Sequence, residues 1–374
     1  MTRVKEKSRP HFTRVLALVV AGCAAIQSPL AEQDRSSLVD QLFSFYTADR
    51  YDDVSRALRQ ALSSTGSGQD VFDRTRSFLD RVEQRLEDWP VRAGAAFALE
   101  AAAAGAAVDL QGAAAVLGRA SARLRRSEPP SAFELDWHIA AVAVLGAPVS
   151  DATEGWLTPH ILEGREVREH YFDARERFPG EPRLVLAWGV AEEAAAHSWL
   201  YTWGALRRES RRLSDSLPSA HLRNAATAFE NVRSRASPAL SREATLRLGS
   251  VRSYQGRTDE ALSLWHTIVS DPAAQGDERF LAELLTARAL IRLERPLDAE
   301  TALRTALDLH PHAQSAAIHL AALRFQQGDA IDATNLIHAT ITRGTPENDP
   351  WLSYFDQIGG TRPRTLKAVR EGWR

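Results

Sequence analysis

A chain of 374 residues, 44% hydrophobic and 25% charged, can bury a substantial core and has the composition of ordinary folded protein, which excludes a wholly disordered chain. The formal net charge is −2, and residues 1–22 carry a local +4 from Arg3, Lys5, Lys7, Arg9 and Arg14 against Glu6. The body is therefore mildly acidic with no dense basic stripe, which sets nucleic-acid binding aside, because that needs clustered Lys and Arg to displace counterions. The single cysteine, Cys23, excludes an intramolecular disulfide, a multi-cysteine zinc site and a paired-thiol redox motif.

Residues 1–14 are basic and polar, and residues 15–26 (VLALVVAGCAAI) form a run of 12 uncharged, mostly apolar residues. A positive stretch followed by a short apolar one describes an export signal, whereas a spanning helix needs roughly 20 apolar residues. The expectation is a signal peptide over 1–22, a linker over 23–36 and no transmembrane helix in the mature protein. Val20-Ala21-Gly22-Cys23 resembles the lipobox of bacterial lipoproteins, a branched aliphatic, two small residues and a cysteine, with valine where leucine is more usual. The resemblance implies lipidation at Cys23 and a periplasmic or outer-membrane-anchored lipoprotein held by a lipid tether. The other reading is a plain signal peptide cut after Ala25 or Ala31, with Cys23 only a small apolar residue.

Beyond the leader, Ala, Leu, Arg and Glu dominate and apolar residues recur three and four apart, which predicts helices throughout. Segments 91–107, 133–145, 167–178 and 184–196 read as helices, broken by turn residues at Glu128-Pro129-Pro130, Gly146–Pro148, Pro179–Pro182 and Ser216–Pro218. In the last third, LRLGSVRSYQGRTDEALSLW, RALIRLERPLDAETALRTALDLHP and IHLAALRFQQGDAIDATNLI share one template. Ala299 and Ala333 fill the same slot 34 residues apart, and Ala261 fills it 38 residues before Ala299.

Residues 242–346 resemble the tetratricopeptide repeat family slot by slot. Leu248-Gly249 and Leu320-Ala321 match the Leu-small pair of the first helix, with Ala287 in the small slot of the middle repeat. Gly256 and Gly328 stand at the turn, and Ala261, Ala299 and Ala333 are the small residues of the second helix. Trp265, Leu303 and Ile337 fill the large apolar slot, Ala306 the next small slot and Pro311 the closing proline. Small side chains let paired helices approach, large ones fill the gap to the next hairpin, and proline stops the second helix. Arg252 and Arg324 replace aromatics, Glu294 the turn glycine and Thr340 a small apolar residue. The fold class implied is all-α, a right-handed superhelical solenoid of antiparallel helix hairpins. Region 37–218 reads as divergent hairpins, 219–346 as the repeats and 347–374 as a C-terminal cap, with Trp351-Leu352-Ser353-Tyr354-Phe355 covering the last exposed face. Residues 59–216 follow no clear template and read either as degenerate repeats or as a helical domain of their own.

No H-E-x-x-H pair, Gly-rich phosphate loop or G-x-S-x-G elbow occurs, so no catalytic residues, metal or cofactor are assigned. In the family the first helices line a groove, which implies Leu246, Ser250, Tyr254, Leu284, Arg288, Arg292, Ile318 and Phe325 as candidates for holding a protein or peptide partner. Trp188, Trp199, Tyr201 and Trp203 with Tyr171 and Phe172 form an aromatic concentration that reads as core, with Trp199 and Trp203 as a candidate surface for a small ligand or polysaccharide. The expected function is an exported scaffold. The rivals are a ligand carrier using those aromatics and an enzyme with its site in 59–216.

Overall fold

The computed structural model describes residues 29–62, 68–127, 129–146, 165–206, 216–343, 349–351, 354 and 362–374. The leader, with Cys23, lies outside the described residues. The described chain forms sixteen α-helices: α1 (Pro29–Thr47), α2 (Tyr51–Leu62), α3 (Gly68–Arg85), α4 (Val91–Gly105), α5 (Leu110–Ser127), α6 (Ala132–Leu145), α7 (Arg165–Arg177), α8 (Pro182–Leu206), α9 (Ser216–Arg235), α10 (Pro238–Tyr254), α11 (Thr258–Val269), α12 (Gly276–Arg292), α13 (Pro296–Leu309), α14 (Gln314–Gln326), α15 (Ala330–Arg343) and α16 (Arg362–Gly372). Among the described residues there is no strand.

Consecutive helices pack on one another, most extensively α8 with α9, α12 with α13, α9 with α10, α4 with α5, α14 with α15 and α10 with α11. Even-numbered helices also meet one another in series: α2 touches α4, α4 touches α6, α6 touches α8, α8 touches α10 and α10 touches α12. The odd-numbered α3 and α5 meet, as do α5 and α7. The result is a two-layer helical solenoid, the even helices forming one face and the odd helices the other. The same alternation runs through the described helices of 59–216, so they pack like the repeats although they lack the template.

The small slots do what the template requires. Ala261, Ala299 and Ala306 are fully buried and Ala333 nearly so, while Trp265 and Leu303 fill the space between hairpins. The Trp265 indole N–H donates to the Leu246 carbonyl at 3.1 Å, and a Cβ on Gly249 would stand 2.3 Å from that nitrogen. Gly249→Ala is therefore expected to destabilise the chain by about 1–3 kcal/mol, as overpacked cores do, read as a lowered urea midpoint. Gly256 and Gly328 take φ of +79° and +92° at the turns, and Glu294 holds the equivalent turn at +56°. A side chain in that left-handed region is strained, so Glu294→Gly is expected to raise stability by about 1 kcal/mol in the same measurement.

Candidate functional site

Beyond α15, the described residues meet the even-numbered helices in reverse order. Asp349, 1% exposed, accepts hydrogen bonds from the Ser315 backbone N–H at 2.6 Å and the Ser315 hydroxyl at 2.9 Å, at the start of α14. It also accepts from the Trp351 backbone N–H at 2.9 Å. The Arg288 guanidinium of α12 lies 4.7 Å from the centre of the Trp351 ring. Arg247 of α10 lies 4.6 Å from the centre of the Tyr354 ring, and the Tyr354 side chain is buried with Trp351 beside it, ring centres 5.8 Å apart.

α16 then packs on α6 and α4. Its Arg370 donates to both oxygens of Glu100 at 2.5 and 2.9 Å and sits over the Tyr51 ring. Trp373 Nε1 donates to the Tyr51 hydroxyl at 3.3 Å, and Arg374 pairs with Asp49. The C-terminal segment thus reaches the even-helix face at α14, α12 and α10 and again at α6, α4 and the α1–α2 turn, and we call it the strap.

Under Tyr354 lies a buried polar cluster. Arg247, fully buried, donates to Glu193 of α8 at 3.0 Å and to Glu243 at 2.5 Å. Burial opposes its charge, but Glu243, Tyr354 and Glu193 outweigh that and hold its pKa above the ordinary value. Burial pushes the Glu193 carboxyl up to about 7, only partly opposed by Arg247. Burial pushes His197 down to about 4, helped by Arg288 and Arg247. Among the described residues two buried atoms here, Glu193 Oε1 and His197 Nε2, find no hydrogen-bond partner, while the Ser250 and Tyr354 hydroxyls interact with each other.

The groove candidates separate into three groups. Ser250 and Arg288 lie under the strap. Tyr254 packs on His197 with ring centres 4.3 Å apart, Arg292 donates to the Ser253 hydroxyl, and Ile318 and Phe325 are exposed on α14 at 50% and 67%. Leu246 and Leu284 are corrected: both are buried in the core, because their slots on α10 and α12 point at neighbouring helices. Trp199 and Trp203 belong to α8, but their side chains lie outside the described residues.

The other aromatics do come together. Tyr171 stacks on Trp188 at 4.7 Å and both are buried, as the core reading expects, while Phe172 is 48% exposed. They line an open cleft of about 400 Å³ with Arg168, Arg175 and Arg235. Among the described residues no group of three or more His, Cys, Asp or Glu could hold a metal ion, and no helix is long and apolar enough to cross a membrane.

No protein-family model and no curated protein matches the chain. Among solved structures it is similar to the crystal structure of the yeast Tom70, at 11% identity over 91% of this chain and 96% of that one, with a TM-score of 0.19. At that score the likeness bears on neither fold nor function. The fold rests on the helix pairing within this chain, and the functional reading on its even-helix face.

Proposed function

We propose that the chain is a helical-repeat scaffold whose even-helix face binds a protein or peptide partner, with no catalysis, exported to the cell envelope and tethered there by lipid at Cys23. The observation that carries the binding role is the docked strap: this face takes a polypeptide segment through a carboxylate at a helix start and aromatics under two arginines. Beside the strap, Ile318 and Phe325 offer exposed apolar contact. The export reading rests on the leader sequence alone.

The test is to express the full chain, tagged, in a Gram-negative host and capture it from the envelope fraction. A reproducible protein partner lost in the Ile318→Asp, Phe325→Asp double variant supports the scaffold. Retention of the same proteins by that variant argues against this face. For the tether, mass analysis of the N-terminus is expected to give an acylated Cys23, and Cys23→Ser to release the protein from membranes. An unmodified N-terminus at Ile26 or Glu32 would remove the tether.

A second reading is favoured by the cleft at Tyr171, Phe172 and Trp188. Three arginines and no acid line it, which suits an anionic ligand with a flat apolar face, such as an acidic saccharide. Titration with acidic oligosaccharides, lost in Arg175→Ala, would support it, and absence of binding would exclude it.

A further inference from the structure

The strap is the occupant of the surface assigned above to a partner. Asp349, Trp351 and Tyr354 engage α14, α12 and α10 in turn, and α16 pins the same segment to α6 and α4 through Arg370 and Glu100. Tethering gives such a segment a high effective concentration at the face, so any partner reaching Arg288 and Arg247 must displace it.

The fit under Tyr354 is incomplete. Beside its ring, Glu193 Oε1 and His197 Nε2 are buried with no hydrogen bond among the described residues, which is costly to leave so. A segment that fills the ring pocket and also supplies donors and acceptors there would be held better than the strap itself.

We infer that the strap is an intramolecular competitor: the partner is a protein segment carrying a carboxylate followed by two aromatics, in the order and spacing of Asp349, Trp351 and Tyr354, and it binds by replacing the strap on α14, α12 and α10. The inference rests on the scaffold reading, and names the partner chemistry and the regulation of that face. It requires no change in the repeats, only exchange of one segment for another.

The test uses a dye-labelled synthetic peptide of residues 346–356, titrated by fluorescence anisotropy into the full chain and into its Trp351→Ala, Tyr354→Ala double variant, whose folding is checked by circular dichroism. The variant is expected to bind the peptide at least tenfold more tightly than the unaltered chain. Adding Arg288→Glu to it, or replacing both aromatics of the peptide with alanine, is expected to abolish binding. If the double variant fails to fold, Arg370→Glu loosens the strap from its α16 end and leaves the face intact. Equal affinity for the unaltered and loosened chains, or no binding to either, overturns the proposal. If loosened chains bind no peptide while the envelope partner is still captured through Ile318 and Phe325, the scaffold reading survives and the competitor does not. If the peptide binds but no envelope protein is captured, the strap is shown to be displaceable, but the scaffold reading fails and the competitor proposal with it.

Discussion

Arg247→Ala is expected to destabilise the chain by about 3–5 kcal/mol, the cost of removing one partner from a buried ion pair. Arg247 is fully buried, bonds to Glu193 and Glu243, and lies over Tyr354. Without it the Glu193 carboxyl, already raised to about 7, keeps no cation beside it, and the strap loses one of its two cationic platforms. Above pH 7, where that carboxyl must either stay charged or take up a proton on folding, adding Glu193→Gln should recover a good part of the loss. Equilibrium urea unfolding of the three variants measures this. A loss below about 1 kcal/mol would fit an exposed pair and contradict the buried cluster.

The same cluster predicts two opposed pH dependences. The Glu193 carboxyl is raised from 4.5 to about 7, so its contribution is fully present below pH 4.5 and is lost as pH rises through about 7. His197 is lowered from 6.5 to about 4, so its contribution is present above pH 6.5 and is lost as pH falls through about 4. Shifts of this size correspond to about 3 kcal/mol each. Between pH 4.5 and 6.5 the two largely cancel, and the unaltered chain should have a shallow profile from this pair. Glu193→Gln should uncover stability that rises from pH 4 to 6.5, and His197→Gln stability that falls from pH 4.5 to 7. Unfolding free energies of both variants across about pH 4–8 give the slopes. Parallel slopes would contradict the assignment.

Much of the fold is legible in the sequence, because hairpin packing is local. The slots of Ala261, Ala299 and Ala333 are spaced by the repeat, and each is buried against its neighbour. The glycine turns are legible too, and Glu294 takes the same left-handed conformation as the glycines it replaces. The stretch from 59 to 216 is harder to read, since helices such as α4 and α6 are buried on most sides and carry alanines and valines without a distinctive slot pattern.

The candidate surface is legible only in part. Ser250 and Arg288 could be placed by carrying over the family's first-helix register, but the same register wrongly offered Leu246 and Leu284, which face adjoining helices. The strap has no local signal, because Trp351 meets Arg288 and Arg370 meets Glu100 across long stretches of chain. A hint exists in residues 362–374, where Leu366, Val369 and Trp373 recur at helical spacing after the last repeat. An amphipathic helix left over at the end of a solenoid has to be buried somewhere, and here that place is the far end of the even-helix face.

The most direct test of partner binding at this face is site-specific photocrosslinking in cells. Phe325→p-benzoylphenylalanine on exposed α14 is compared with Leu297→p-benzoylphenylalanine on α13, where Leu297 is 75% exposed on the opposite layer. A discrete protein adduct is expected from position 325 and none from 297. Adducts from 297 alone, or from neither position, would contradict it.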